Sequence, residues 1–345
     1  MHEIDGAYGE GGGQLLRTSI VLAAITGRPV HLRNIRAKRA KPGLAPQHLA
    51  AVKAVASLCG AEVDGLELHS REIWFRPGPL RGGQFDFPVG TAGSITLVLQ
   101  AVLPVAVMCP ERTSMHIVGG TDVRAAPPLD YFRHVLLPLM SGMGVRAKID
   151  VLRRGYYPRG GGEVIVEVEP SSSLQPLVLD TPGTLAGIQV FAHVANLPNH
   201  ISLRMANSAL AELAPFSTLL VEFELLGRNR AIGPGGTVVL VGQTEHTRLG
   251  ASVVAQRGIR AEELGAAAGQ FLRQEIISGA TLDVHATDQV LIYLALADRA
   301  SRFLTRSFSS HGITTTWLLE QFLPVRFQVR QAGQLICVKA EPGLD

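Results

Sequence analysis

A run of glycines near the start of the chain is interrupted by one carboxylate. The run Gly9-Glu10-Gly11-Gly12-Gly13 precedes an apolar, helix-like segment, Leu15 to Ile25. Consecutive glycines before a helix let the backbone approach a phosphate, and the first N–H groups of a helix favour anions. The run lacks the Gly-Lys-Ser/Thr ending of a P-loop. Glu10 in this setting predicts a carboxylate that holds a phosphate-bound divalent cation. The alternative is a plain tight turn.

Cationic side chains are concentrated shortly after this run. No acidic residue lies between Arg28 and Lys41, although the formal net charge of the whole chain is only +3. A local cluster in a nearly neutral protein favours a defined anionic ligand over a general polyanion surface. Arg153, Arg154 and Arg159 form a second cluster. For both clusters the alternative is a solvated loop.

The elements around these residues repeat three times along the chain. Each unit is predicted as helix, strand, helix, strand, strand. The predicted helix pairs are Leu15–Ile25 with Ala45–Leu58, Ile95–Met108 with Leu129–Met140, and Asp288–Ala297 with Thr314–Phe322. The predicted fold class is therefore α/β (α+β), with the three repeated β/α units forming one large domain.

A segment that breaks this pattern separates the second unit from the third. It is bounded by Thr181-Pro182-Gly183 and by Ser278-Gly279, and it has predicted strands and helices of its own. We therefore expect a large domain at 1–181 and 280–345, with a small α/β domain at 182–279 inserted between the second and third units. Insertions of this kind are tolerated where chain ends meet at a surface.

The repeat predicts where the polar residues lie. In each unit a loop leads from the first predicted strand into the N-terminus of the second helix, which suits phosphate binding. Three such loops from packed repeats are expected to converge. They carry Arg36, Lys38, Arg39, Gln47 and His48 in the first unit; Asp122, Arg124 and Pro127 in the second; and His311, in the loop Arg306–Ile313, in the third.

Several of these stretches resemble the RNA 3′-terminal phosphate cyclase family. The resemblance spans the chain and is weakest in the inserted segment. It is carried by Asp5 to Arg17, by Arg36-Ala37-Lys38-Arg39-Ala40-Lys41-Pro42-Gly43-Leu44 with Gln47-His48, by Gly119-Gly120-Thr121-Asp122 with Ala126-Pro127-Pro128, by Arg154-Gly155-Tyr156-Tyr157-Pro158-Arg159-Gly160-Gly161-Gly162, and by Glu320 to Phe327.

The resemblance implies a reaction. A histidine attacks the α-phosphate of ATP, and AMP then passes to the RNA 3′-phosphate. The 2′-hydroxyl closes a 2′,3′-cyclic phosphate and releases AMP. Covalent catalysis of this kind divides a difficult step in two. ATP, RNA 3′-phosphate ends and a divalent cation (Mg²⁺ or Mn²⁺) are therefore the expected ligands.

The resemblance also assigns roles to individual residues. His311, in Ser309-Ser310-His311-Gly312, matches the nucleophile, and Glu10 is expected to bind the metal. The expected RNA- or ATP-phosphate ligands are Arg17, Arg36, Arg39, Gln47 and His48, and the expected nucleotide-pocket residues are Gln100, Pro127, Asp288 and His285. His285 stands where the family often has a tyrosine beside the adenosine. Tyr156 and Tyr157 are expected to be packed, with stacking on RNA bases as the alternative.

Three other functions are compatible with parts of the pattern. A non-catalytic, cyclase-like protein of ribosome assembly would lack the histidine found at His311. An enolpyruvyl transferase would need two sixfold sets of units in a longer chain. A plain RNA-binding module would not explain Glu10 in a glycine loop together with His311.

Composition limits the setting in which this chemistry takes place. The chain has 345 residues, is 46% hydrophobic and only 18% charged, which excludes bulk disorder. Three widely spaced cysteines predict neither a disulfide framework nor a zinc site. The apolar run Ile95–Met108 is too short to cross a bilayer comfortably, and the first residues carry no signal-peptide pattern. We expect a cytoplasmic protein, or a nuclear one in a eukaryote, with no membrane contact. The oligomeric state is unknown from the sequence.

Overall fold

The computed structural model describes residues 1–90 and 92–343, so Thr91, in the predicted glycine loop before the third helix, lies outside them. In the first unit a strand that the sequence pattern missed comes before the predicted elements. The unit consists of β1 (His2–Asp5), α1 (Gly13–Thr26), β2 (Val30–Arg33), α2 (Pro46–Cys59), β3 (Glu62–Asp64) and β4 (Ile73–Arg76). Its sheet has the order β1-β2-β4-β3, and only the β1–β2 pair is parallel.

The second unit repeats this arrangement. It consists of β5 (Gly83–Pro88), α3 (Ile95–Val107), β6 (Thr113–Gly119), α4 (Leu129–Tyr131), a π-helical stretch (Phe132–Leu136), α5 (Leu137–Gly142), β7 (Arg146–Arg153) and β8 (Gly162–Glu169). The sheet order β5-β6-β8-β7 matches that of the first unit, and again only the first pair is parallel. The two units are therefore equivalent in topology.

The inserted domain has one four-stranded sheet. It consists of β9 (Leu185–Ala195), α6 (His200–Glu212), β10 (Thr218–Leu226), β11 (Gly235–Thr244), β12 (Arg248–Val254) and α7 (Ala261–Ser278), with the sheet order β10-β9-β11-β12. Side chains on one face of the sheet pack with α6 and α7, whereas Phe191, Val239 and Val241 on the other face join the main core. The insert is therefore packed against the three-unit body.

The third unit begins ahead of the insert. Its named elements are α8 (Val284–Ala295), β13 (Ser301–Thr305), α9 (Ser310–Phe322), β14 (Val325–Ala332) and β15 (Leu335–Pro342). Parallel bridges join Leu174 to Ala297 and Val178 to Arg302. The segment 174–178 thus occupies the place that β1 and β5 hold in the other units. The insert therefore interrupts the third unit, between its first extended segment and α8, instead of lying between two complete units.

Two helices begin earlier than the sequence pattern predicted. Helix α9 starts at Ser310, because the Ser309 hydroxyl caps it by accepting a hydrogen bond from the Gly312 N–H at 3.0 Å. His311 therefore lies in the first turn of a helix, and its predicted loop position was wrong. Helix α8 likewise starts at Val284, where the Asp283 carboxylate accepts the first N–H groups. In the described part of the chain, no helix is long and apolar enough to cross a membrane.

Candidate active site

The glycine loop of the first unit and α9 of the third unit meet at Glu10. One carboxylate oxygen of Glu10, Oε1, lies 3.1 Å from His311 Nδ1. The other, Oε2, accepts a hydrogen bond from Arg39 Nη2 at 2.8 Å. The Glu10 side chain is only 12% exposed. One partly buried carboxylate therefore joins the glycine loop, the basic loop and the first turn of α9.

Local packing makes this meeting possible. Gly9 has a φ of 58°, and a Cβ there would collide with the Thr314 hydroxyl on α9. Gln14 donates a hydrogen bond to Thr315 at 2.9 Å, and Lys38 donates one to the Gly9 carbonyl at 2.7 Å. A glycine is needed at position 9 because the loop must approach α9 closely with a left-handed backbone.

The charge on Glu10 controls the protonation of His311. Contact with Glu10 raises the pKa of His311, although partial burial opposes the change. Burial raises the pKa of Glu10, but His311 and Arg39 more than offset burial, so that the pKa of Glu10 is lowered. Although 3.1 Å apart, Glu10 Oε1 and His311 Nδ1 are not aligned for a hydrogen bond, and among the described residues neither these two atoms nor His311 Nε2 forms one. A neutral His311 with its proton on Nδ1 therefore presents a free nucleophilic nitrogen at Nε2.

Arg17 is a cation without a matching anion. It lies on α1, and among the described residues it forms no ion pair within 4.0 Å. Burial lowers the pKa of Arg17 to about 10, while the nearby Glu10 raises it. A partly buried guanidinium with no ion pair among the described residues can stabilise an anionic ligand beside it. Arg17 is thus the strongest phosphate-binding candidate of the site.

The other predicted phosphate ligands border the same loop. Arg36 donates to the Gly43 carbonyl at 2.7 Å and so braces the basic loop. Gln47 is half-buried in the first turn of α2, next to His48. Arg39 is 48% exposed beyond its contact with Glu10, which leaves part of its guanidinium open to a ligand.

His48 is a second histidine of the site, with a different role. Its Nδ1 accepts a hydrogen bond from the Ala45 N–H at 3.1 Å. Burial, helped by Arg17 and Arg36, lowers the pKa of His48 to about 3. The ring is therefore neutral with its proton on Nε2, the atom that faces Gly13. His48 can donate a hydrogen bond to an anion, but it has no free nitrogen for nucleophilic attack.

Two of the predicted nucleotide-pocket residues share a cavity with Arg17. Gln100 and Asp288 line a cavity of about 50 Å³ between helices of the three units. Gln100 Nε2 is buried with no hydrogen-bond partner among the described residues. Asp288 accepts hydrogen bonds from Ser309 Oγ at 2.8 and 2.9 Å, and burial raises the pKa of its carboxyl. Asp288 therefore also anchors the turn that carries His311.

The structure does not bring the other two predicted pocket residues into this lining. The Pro127 carbonyl accepts a hydrogen bond from Thr96 at 2.7 Å. The His285 ring is stacked on Phe271 of α7, with 5.1 Å between ring centroids. One face of the His285 ring is therefore already covered.

The repeat predicts that the loop of the second unit converges with the other two loops. In the structure it does not. Asp122 lies in a buried cluster with Asp130, Arg154 and His193 of the insert. Arg154 Nη2 donates to both oxygens of Asp130 at 2.9 and 2.8 Å, and Arg154 Nη1 lies 3.6 Å from Asp122. His193 lies 3.6 Å from Asp122 and 3.4 Å from Asp130. The loop therefore faces the insert, because its carboxylate is paired there.

This cluster also corrects the predicted role of the second basic cluster. Arg154 is 5% exposed and bound by carboxylates, and Arg153 pairs with Glu163 at 2.7 Å. Both of these cations are paired within the protein, whereas Arg159, the third member of the cluster, is exposed and forms no ion pair among the described residues. The sequence did contain a signal for His193, which is a lone polar residue in the apolar run Val190–Ala195 and would need a buried partner.

The donor set limits how a metal ion is held. Within the described residues, no group of three or more His, Cys, Asp or Glu side chains is arranged to bind one. Mg²⁺ commonly takes one or two carboxylates and completes its shell with water and substrate phosphates. Glu10, as a single carboxylate in a glycine loop, fits that pattern.

Comparisons with known proteins give matches that cover nearly the whole length of this chain. The family model described as RNA 3′-terminal phosphate cyclase matches residues 8–329. A protein named RNA 3′-terminal phosphate cyclase from Nitrosospira multiformis is 67% identical over 342 residues, covering 99% of this chain and 97% of its own. One of the same name from Pyrobaculum neutrophilum is 43% identical over 339 residues, covering 98% and 97%. A solved EPSP synthase from Acinetobacter baumannii matches with a TM-score of 0.32 and 11% identity, over 95% of this chain and 62% of its own, which supports no conclusion.

Proposed function

The chain belongs to the RNA 3′-terminal phosphate cyclase family, and on that premise we propose that it uses ATP to convert an RNA 3′-terminal phosphate into a 2′,3′-cyclic phosphate. The observation that carries the proposal is the position of His311. It lies in a helix's first turn, 3.1 Å from a carboxylate and in the same site as a cation without a partner, Arg17. A nucleophile, its orienting group and a phosphate ligand are thus held together.

The first step is the attachment of AMP to His311. Nε2 donates its electron pair to the α-phosphorus of ATP, an N–P bond forms, and the bond from that phosphorus to pyrophosphate breaks. Glu10 holds the proton on Nδ1 and stabilises the positive charge that develops on the ring. Arg17 and His48 Nε2–H supply donors for phosphate oxygens.

The second step moves AMP to the RNA. An oxygen of the 3′-phosphate attacks the phosphorus of histidinyl-AMP, the N–P bond breaks, and His311 recovers its electron pair. The product is an RNA end with an AMP leaving group. The oxygen of the 2′-hydroxyl then attacks the activated 3′-phosphorus, the bond to AMP breaks, and the hydroxyl proton passes to solvent, which leaves the cyclic phosphate and free AMP. Arg39, exposed beside Glu10, is placed to hold the incoming 3′-phosphate.

Glu10 is the residue that would hold a divalent cation. Bound there, the cation would neutralise part of the triphosphate charge. The effect of Glu10 on the orientation of His311 does not require a bound cation.

The proposal is tested by mixing the protein with ATP labelled at the α-phosphate and a divalent cation, then denaturing it. We expect covalent label that is lost in acid and retained in base, as for a phosphoramidate. Adding RNA with a 3′-phosphate should discharge the label and yield a 2′,3′-cyclic end. Absence of label under all divalent cations tested would contradict the proposal.

Glu10→Gln tests how the carboxylate acts on His311. The amide keeps the shape but loses the charge, so the pKa of His311 should fall towards its ordinary value of about 6.5. His311 reacts only when neutral, so AMP attachment in the native protein should rise with pH through that raised pKa. In Glu10→Gln the rise should occur at lower pH, and the maximal rate should fall by roughly ten- to hundredfold.

The control for this variant is Glu67→Gln, at an exposed carboxylate with no ion pair among the described residues. Its pH profile should match that of the unchanged protein. RNA binding without ATP should be nearly equal in both variants. If the rate of Glu10→Gln falls while its pH profile stays in place, Glu10 does not act through His311.

A further inference from the structure

A large groove separates the insert from the three-unit body. It has a volume of about 910 Å³. The body contributes the loop that holds Asp122 and Arg124 and the segment Tyr156–Pro158, and the insert contributes the start of α6, the end of β12 and the start of α7. The buried Asp122–Arg154–His193 cluster adjoins this groove but is closed to ligands. The groove itself has no part in the steps derived above.

The charge of the groove favours an anionic ligand. Its lining includes four arginines, Arg124, Arg204, Arg257 and Arg260, while its one acidic lining residue, Asp122, is 1% exposed. Arg204 pairs with Glu262 and Arg260 with Glu263, at the rim. Within the described residues Arg124 and Arg257 form no ion pair, and both are exposed. Two cations are therefore free to bind phosphate at the mouth of the groove.

The interior of the groove suits the flat face of a ring. Leu197, Ile201 and Leu264 provide apolar walls.

We propose that this groove binds a nucleotide of the RNA strand upstream of its 3′-terminal phosphate. The inference rests on the proposed function and extends it to substrate binding. The base enters the groove and stacks on Tyr157, which is 75% exposed at its edge. The neighbouring phosphates contact Arg124 and Arg257.

Helix α7 connects the groove with the catalytic site. Leu264 lines the groove, and Phe271, seven residues later, stacks on His285 just before Asp288. Residues seven apart lie on the same face of a helix, about 10 Å from each other. Through Phe271 and the start of α8, the wall of the groove is therefore packed against the helix that carries Asp288.

The first experiment measures binding of 3′-phosphorylated oligonucleotides of one to eight nucleotides to Arg124→Ala/Arg257→Ala. For the longer oligonucleotides we expect about tenfold weaker binding, and a salt dependence whose slope is reduced by about 1.4, because two phosphate contacts are lost. Binding of the mononucleotide should not change. The matched control is Arg326→Ala/Arg330→Ala, which removes the same charge from exposed positions on β14, where neither arginine forms an ion pair among the described residues.

The second experiment locates the stacked base. An abasic nucleotide is moved stepwise along an eight-nucleotide strand. In the unchanged protein an abasic nucleotide at one position upstream of the end should weaken binding by about five- to tenfold. Tyr157→Ala should remove that dependence, because its partner for the base is gone.

The proposal is overturned if the double arginine variant binds long strands as well as its control does, or if it loses affinity equally for the mononucleotide. It is also overturned if no abasic position depends on Tyr157. These binding assays contain no ATP. Failure of AMP labelling at His311 would therefore contradict the proposed function, whereas the binding measurements would still test the groove independently.

Discussion

Replacing His311 by alanine is expected to abolish covalent AMP labelling and all cyclisation, which should fall below detection. The imidazole is the only nitrogen nucleophile at the Glu10 contact, and the other histidine of the site, His48, has its proton on the nitrogen that faces the loop. His311 is 39% exposed, so that its loss leaves little buried space and the fold should be kept. The measurement is labelled AMP on the denatured protein, with circular dichroism as the check on folding.

His200→Ala is the control for the same chemical change. His200 is exposed at the start of α6, and its side chain has no hydrogen bond or ion pair among the described residues. Labelling should be unaffected there. Persistent labelling of His311→Ala would mean that another residue accepts AMP, and peptide mapping of the label would then identify it. His48→Gln should by contrast reduce the rate without removing the adduct, since His48 serves as a hydrogen-bond donor.

Much of the catalytic site could be predicted because its parts are local in sequence. The glycine run, the basic loop and the helices behind them each have a recognisable pattern, and the repeat indicated that the loops of the first and third units would approach each other. The contact between Glu10 and His311 is consistent with that expectation. The start of α9 was predicted at Thr314 and not at Ser310, because the pattern of apolar residues did not show that the Ser309 hydroxyl caps the helix by accepting a hydrogen bond from the Gly312 N–H.

The parts that could not be predicted depend on tertiary contacts. Strands β1 and β5 are edge strands of only four and six residues, and they form because β2 and β6 offer parallel partners. The pairing of Asp122 with His193 joins residues that belong to different domains. Nothing in the sequence of either segment specifies that meeting, because it arises only when the insert packs on the body.

Arg154→Met is expected to lower the free energy of unfolding by about 3–5 kcal/mol, since it leaves two buried carboxylates without their main partner. Arg154 is 5% exposed and donates to both oxygens of Asp130, while Asp122 lies 3.6 Å away. His193 alone cannot neutralise both acids. Urea denaturation provides the measurement. The neighbouring Arg153→Met is the control, because Arg153 and its partner Glu163 are about 30% exposed, and loss of that pair should amount to less than about 1 kcal/mol.

The pH dependence of the Arg154→Met deficit distinguishes lost charge pairing from lost packing. Burial raises the pKa of Asp130, but Arg154 and His193 more than offset it, so the pKa is lowered in the native protein. A carboxyl with a lowered pKa stabilises the fold above its unfolded pKa of about 3.9, and that stability is lost as the pH falls through the folded value. Without Arg154, burial should raise the pKa of both Asp122 and Asp130 above the unfolded value. Protonation at lower pH then removes the unfavourable free energy of burying two unpaired carboxylates. The deficit should therefore be smaller at pH 5 than at pH 8. An equal deficit at both pH values would mean that the loss comes from the packing of the arginine stem, and adding Asp122→Asn and Asp130→Asn would then restore none of the stability.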